Sequence, residues 1–454
     1  MLNQPRPSVF ETVQIGVEAT PGTAVPALIR LQGTDIKPKP VPKIKPVRAA
    51  GNKFNTASVA GREYTEAPVS GDQSFTDLCF LFNMNICKGV ASLPNGNGTL
   101  TVRRTYTPHP YLPEVFTTLT VQRGNALQGG KQFPYGIMPD MTQTWAEDEC
   151  KVSGTMWGRK LDKGVPMSGD AIQTIHVTGV PTTGTFTLAH GADTSAVIAF
   201  TATAATVQAA VAALASVGAG NVMVTPYLPD AETGKLLQAP ANTALNAAGA
   251  VFYIQFIGAM SEMVVTTLVA ADTFDTGDVA VAVLQVGAAV TVLPQIVVPP
   301  LSVGVFIGKA LNTLVQLNNL NAAEAMMNQR EVLQNVIDNR NLSFRQPIEK
   351  APTFTGSITV DDDSDAVAYL ESLRTGETLY LQIVAQSEEI IETIANVNYH
   401  HNYVQTYAIR FDTSEDGTTN EYETSKFAWF GVNDAALGGA FSATIDTNIA
   451  ANVL

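Results

Sequence analysis

The sequence predicts a mainly β fold, and three observations carry that prediction. Only 15% of the 454 residues are charged and 45% are hydrophobic, the balance of a chain that buries a core. Ala, Thr, Val and Gly abound, which suits sheets and turns more than long helices. Short runs of alternating apolar residues recur from positions 13–17 to positions 441–449. A chain of this length is expected to hold roughly two to four domains.

The first segment, residues 1–169, opens on TVQIGVEATPGTAVPALIRL at positions 12–31. Val13, Ile15 and Val17 alternate as in a strand. A loop follows at 18–23, where Pro21 fixes φ and Gly22 accepts a positive one. A second extended run covers 25–31. Next comes KPKPVPKIKPVR at 37–48, whose alternating Lys and Pro exclude a sheet interior and favour an extended, polyproline-like arm. It reads either as a solvated loop or as an arm whose Lys37, Lys39, Lys43, Lys45 and Arg48 reach a neighbouring acidic surface. Phe75, Leu78, Cys79, Phe82 and Ile86 share one helical face, predicting a helix over 75–87 that stops at Gly89. Strands are expected near 100–105, 114–122 and 141–157. In the last, Cys150, Val152, Gly154 and Met156 share a face, so Cys79 and Cys150 read as core residues.

The second segment, residues 170–293, has a different composition, with Lys235 its only basic residue. Strands are predicted at 172–178, 184–188, 196–201, 221–225, 251–257, 263–269 and 279–286. Between them Val207, Val211 and Leu214 mark an Ala-rich helix over 205–217, stopped by Gly218 and Gly220. The expectation is a small α+β or β-sandwich-like domain.

The third segment, residues 294–454, begins among Pro294, Pro299 and Pro300. A strand is predicted at 302–308, whereas 321–339 suits a helix or a strand pair with a long loop. Asp361, Asp363 and Asp365 have the spacing of a calcium loop, but Ala366 and Ser372 stand where such a loop needs Gly and Glu. They read instead as a helix N-terminus, capped by Ser364 or Asp365, with the helix at 366–373, Arg374 in its last turn and Gly376 past its end. Strands at 378–385, 403–411, 422–431 and 441–449 close the chain, with Asp416-Gly417 at a loop tip. Segments one and three repeat one plan: strands, a long connection, an Ala-Pro pair (Ala67-Pro68 and Ala351-Pro352), a helix opened near acidic residues, then several strands.

Charge is distributed unevenly. The first segment carries 18 basic and 13 acidic residues (+5), the second 1 and 8 (−7), the third 8 and 20 (−12). A net acidic chain does not grip nucleic acid by its phosphates, although it can line a path along which DNA slides. No apolar run reaches the ~18–20 residues of a membrane span, and the first eleven residues lack the apolar core of a signal peptide, so a chain folded in a cytoplasm is expected. Three cysteines without a CxxC pair predict neither a disulfide framework nor a zinc site. His400 and His401 are neighbours on a predicted strand and point to opposite faces, which does not suit a shared metal. There is no HExxH, GxSxG, P-loop or dinucleotide fingerprint. The expectation is no enzyme, no cofactor and no metal.

As strings, these segments resemble known ones. GVEATPGTAVPA, within residues 12–31, is similar to the amino-terminal signature of bacteriophage tail tube (major tail) proteins, which often reads GvEttpGTa. KAPTFTGSITV, the acidic cap, AVAYLESLRTGE and TLYLQIVA follow in the order seen in carboxy-terminal halves of large members of that family. GTFTLAHGADTSAVIAFTATAATVQAAVAAL and VGAGNVMVT resemble a small module that recurs in phage and bacterial surface proteins. The resemblance implies duplicated β-sandwich or partial-barrel folds, each with a flanking helix, interrupted by an outward-facing decoration domain. It implies a siphophage-type virion protein assembled in the host cytoplasm. Subunits would join their inner strands into rings that stack around a tape-measure protein, and DNA would later cross the lumen without specific binding. Two folds per chain would give a trimeric, pseudo-hexameric ring, with acidic lumen residues from the third segment and the basic residues at 37–48 between rings. For the inserted domain, a steric role and weak binding of a host-surface glycan both stay open. The competing class is a β-rich adhesin recognising a glycan, against which the presence of only three Trp counts.

Overall fold

Alternating side chains make most of this chain strand: 54% is strand and 10% helix, a mainly β protein with large antiparallel sheets and, among the described residues, no closed barrel. The computed structural model describes residues 11–94, 100–125, 129–229, 236–328, 331–334, 343–419 and 422–453. The chain begins with β1 (Thr12–Val17), β2 (Ile29–Leu31), β3 (Thr34–Ile36), β4 (Lys39–Val47), β5 (Ala57–Asp72) and α1 (Phe75–Asn85). It continues with β6 (Val90–Ser92), β7 (Val102–Tyr106), β8 (Leu119–Asn125), β9 (Gly129–Ala146), β10 (Cys150–Gly158) and β11 (Asp162–Val165). A separate group follows: β12 (Ile172–Thr178), β13 (Thr185–His190), β14 (Asp193–Thr194), β15 (Ile198–Ala199), α2 (Ala204–Ala212), β16 (Val222–Pro229), β17 (Leu236–Gln238), β18 (Val251–Phe256), β19 (Val269–Asp272) and β20 (Asp278–Gln285). After β21 (Thr291–Val292) come β22 (Val303–Gly308), β23 (Val315–Gln316), β24 (Leu320–Asn328), β25 (Glu331–Gln334), β26 (Gln346–Glu349), β27 (Thr353–Asp361) and α3 (Ser364–Thr375). The chain ends with β28 (Leu379–Ile394), β29 (Val397–Thr419), β30 (Tyr422–Gly431) and β31 (Phe441–Thr447).

One strand order occurs twice. β1 pairs with β8, β8 with β9, β9 with β10 and β10 with β5. Likewise β22 pairs with β28, β28 with β29, β29 with β30 and β30 with β27. Every one of these pairings is antiparallel. β5 and β27 each lead into a helix, with the N-caps at Ser74 and Asp363. The first half of β9 also carries β11, as the first half of β29 carries β31. β24 pairs with both β27 and β9 and so joins the two sets into one run, β4-β5-β10-β9-β24-β27-β30-β29.

The two sets share one apolar core. Ile15, Phe80 and Val152 from one side pack in the same cluster as Ile358, Leu381 and Trp429 from the other. Buried polar groups cross the same boundary: Trp145 Nε1 donates to Tyr403 Oη (2.6 Å), which lies 3.3 Å from Gln73 Oε1. Residues 171–279 form a second core around Ile175, Val207, Phe252 and Ile254, with α2 against β16.

Helix α1 is buried on every side, not only along the apolar stripe. Its polar residues bond to neighbouring segments, although Asn83 Nδ2 and Asn85 Oδ1 have no hydrogen-bond partner among the described residues. Asp77 accepts from Gly33 N (3.0 Å), Asn83 Oδ1 from Gly89 N (2.7 Å), and Asn85 Nδ2 donates to Met138 O (2.8 Å).

Several expectations are corrected. The strand expected over 141–157 is two strands, β9 and β10, folded back at Glu147–Glu149 by a short turn. No strand covers 263–268, and β19 starts only at Val269. The Ala-rich helix ends at Ala212, with Ala213 as its C-cap. The stretch 321–339 is strand as far as it is described, while 335–342 lies outside the described residues. Asp416-Gly417 is no loop tip: β29 continues through it, paired with Ser425 and Thr424. The Ala-Pro pairs are not equivalent points, because Ala67-Pro68 lies inside β5 whereas Ala351-Pro352 lies between β26 and β27. Residues 1–10 and Lys235 lie outside the described residues.

Candidate assembly surfaces

The loop after β1 is organised by one carboxylate. Glu18 Oε2 accepts from Gly22 N (2.6 Å) and Thr118 Oγ1 (2.9 Å); Oε1 accepts from Thr120 Oγ1 (2.9 Å) and Tyr135 N (2.8 Å). Gly22 has φ +81°, and a Cβ there would stand 2.2 Å from Arg159 Nη1. That guanidinium lies 4.8 Å from the centroid of the Tyr135 ring and donates to Gly22 O (3.3 Å) and Arg345 O (3.0 Å). Phe344 meets Tyr135 edge-on at 5.3 Å. The loop is thus fixed by residues of the first strand set and by the segment that leads into β26, and its Ala19, Thr20 and Pro21 face solvent.

The Lys-Pro stretch is a strand, not a polyproline arm. β4 pairs along its length with β5 and, among the described residues, with nothing else. The sequence excludes an interior strand but allows an edge. Lys37 N donates to Pro68 O on β5 (3.0 Å), so residues 38, 40 and 42 turn their backbone outward. All three are Pro, and the missing N–H groups fall on the free edge. Lys39 pairs with Glu66 (2.9 Å) and Lys37 with Asp35 (3.3 Å). Lys43, Lys45 and Arg48 are exposed without an ion-pair partner among the described residues. Toward its end this ribbon also exposes Ile44, Val47, Phe54 and Val59. β25 and β26 form the corresponding ribbon before β27.

Acidic residues gather on the other strand set. The second half of β29 exposes Asp412, Glu415 and Asp416. The α3 cap is one residue earlier than Ser364 or Asp365: Asp363 Oδ1 accepts from Asp365 N (2.8 Å) and Ala366 N (3.3 Å). These bonds hold the Asp363 carboxyl below its usual range, with Asn319 contributing. Ser364 and Asp365 form the first turn instead, and Gly376 closes the helix at φ +63°.

The chemistry-bearing side chains do not converge. Cys79, Cys87 and Cys150 are buried, and none of them forms a disulfide. His401 is buried beside Phe75, and among the described residues neither ring nitrogen has a hydrogen-bond partner. Burial, with His400 adding a smaller effect, pushes its pKa down to about 4. Among the described residues no three His, Cys, Asp or Glu could hold a metal ion, and no helix is long and apolar enough to cross a membrane. A Ser–His contact that sequence reading missed joins Ser216 Oγ to His190 Nδ1 (2.9 Å). It lacks an orienting acid, because Asp193 accepts from Ser216 N (2.7 Å) and not from the imidazole.

A cleft of about 290 Å³ lies where the β12–β20 group meets the β11 region. Lys163, Gly164 and Pro166 form one wall; Thr225, Tyr227 and Tyr253 form the other, with the two rings 4.2 Å apart. Burial raises both phenol pKa values, with Tyr253 adding to the rise at Tyr227.

Compared with known proteins, the chain matches no family model and no curated protein.

Proposed function

We propose that this chain is a tail tube protein of a long-tailed bacteriophage, a structural virion protein that polymerises into stacked rings. The carrying observation is the strand order that occurs twice around one core, leaving β4 at one end of the run and β29 at the other. In this reading each set is one tail-tube fold with its own helix, and the β12–β20 group is an outward-facing decoration. Three chains then make a pseudo-sixfold ring. Ring closure removes exposed edges, which is the general protection against uncontrolled strand addition.

The partners are further copies, a tape-measure protein and other tail proteins, with DNA crossing the lumen unretained. The charge split supports this: an acidic lining repels phosphates, and a basic ribbon suits the acidic surface of an adjacent ring. The protein needs no catalytic group, cofactor or metal in this role. Negative-stain microscopy of the purified chain tests the reading. Tubes or stacked rings are expected; monomers that bind glycans would instead favour an adhesin, for which the Tyr227–Tyr253 cleft is the one supporting feature.

A further inference from the structure

The pairing pattern that occurs twice is complete only once. The second half of β9 lies between β10 and β24. The second half of β29 has β30 on one side and, among the described residues, no strand on the other. What would fill that place is the counterpart of β24.

The internal pairings identify that counterpart residue by residue. Asp72 and Asp361 each end a strand that leads into a helix after the same short connection, so Glu66 corresponds to Thr355 and Ser70 to Thr359. Lys39 faces Glu66 as Met326 faces Thr355. Glu415 faces Lys426, which faces Thr359, as Thr142 faces Ser153, which faces Ser70. Lys39 is therefore the counterpart of Met326, and Glu415 of Thr142. Met326 and Thr142 are paired within the chain. Lys39 and Glu415 stand on the two outermost strands of the run from β4 to β29.

Resting on the reading of the chain as a self-assembling protein, we propose that β29 of one copy pairs antiparallel with residues 37–40 of a second copy, with Lys39 opposite Glu415; before residue 37 the edge is closed within the chain, where Arg123 Nη1 donates to Ile36 O (3.1 Å). Two features favour this register. First, it sets basic against acidic side chains: Lys39 stands opposite Glu415, with Lys37 two residues along on the same face, all three exposed in the single chain. Second, the prolines select the partner. Pro38 and Pro40 leave carbonyl groups but no N–H on the outer edge of their strand. Two such edges cannot bond each other, since both offer acceptors only. The β29 edge can supply N–H groups, from Ser414 to Pro40 and from Asp416 to Pro38. The prolines thus block a symmetric dimer through residues 38–42 and leave the head-to-tail contact, which closes into a ring when its rotation allows; Lys37 and Lys39 then serve the contact within a ring, which leaves Lys43, Lys45 and Arg48 for an adjacent ring.

Lys39 and Glu415 form a non-hydrogen-bonded pair in this register, the geometry in which opposed Cβ atoms come closest. The test is the full chain carrying Lys39→Cys and Glu415→Cys, oxidised after assembly and run on non-reducing gels. The three native cysteines are buried and do not compete. Loss of the monomer band into linked multimers is expected, with neither single variant linking. Ser414→Cys in place of Glu415→Cys points to the opposite face and should not link. As a second measurement on the unaltered chain, carbodiimide treatment of a mixture of isotopically light and heavy protein should yield a mixed Lys39–Glu415 cross-linked peptide. Tubes or rings in which neither link forms overturn the register while the tube reading survives. Linked multimers that never stack into tubes support the register and sink the tube reading. A chain that neither assembles nor links overturns both.

Discussion

Four donors converge on the Glu18 carboxylate, and two of them are backbone N–H groups. Glu18→Ala leaves these groups unpaired in a buried place and should cost about 3–5 kcal/mol of stability. Urea denaturation measures this; an unchanged midpoint would contradict the role given to Glu18. Two other buried groups give stability opposite pH dependences. Burial pushes the Asp77 carboxyl up to about 6 from 3.8. An acid shifted upward stabilises the fold below pH 3.8, and that contribution is lost as pH rises through about 6. His401, shifted down to about 4, contributes above pH 6.5, and its contribution is lost as pH falls toward 4. Asp77→Asn should therefore be more stable than the parent above pH 6 by up to ~3 kcal/mol, with the difference vanishing near pH 4. Denaturation curves at several pH values decide it, and a difference independent of pH refutes the assignment.

At the scale of elements, α3 offers the cleanest comparison. Asp363→Ala removes the cap and should cost ~1 kcal/mol, while Ser364→Ala and Asp365→Ala should change little. Gly376→Ala forces a side chain into the left-handed region and should cost a further ~1 kcal/mol. Thermal unfolding ranks the four variants; equal losses at 363, 364 and 365 would contradict the cap. The helix itself was legible, because its apolar positions and terminal glycine are local signals. Its cap was misplaced by one residue because three consecutive aspartates and a serine all suit the position. The Lys-Pro strand was missed for a different reason: proline rules out the interior of a sheet, and only the position of a strand tells whether its outer edge is free. Asp416-Gly417 looked like a turn because a ribbon exposed on both faces has no apolar alternation to reveal it. The role of Glu18 was invisible in sequence, since Thr118, Thr120 and Tyr135 lie a hundred residues away.

For the whole molecule, order of elements carried more information than residue identity. The repeated plan was legible as order, yet its Ala-Pro landmarks were false, and only strand pairing gives the correspondence. That correspondence and the charge split lead to the same two edges. Reversing the charge of Lys37, Lys39, Lys43, Lys45 and Arg48 together should abolish polymerisation or make it strongly salt-dependent; normal tubes at low and high salt would remove the ribbon from assembly. The central claim is that one chain supplies two tube folds. A symmetry-resolved image of the assembled particle tests it most directly. Rings of three chains with pseudo-sixfold walls are predicted, and a strict sixfold ring of identical chains would contradict the account.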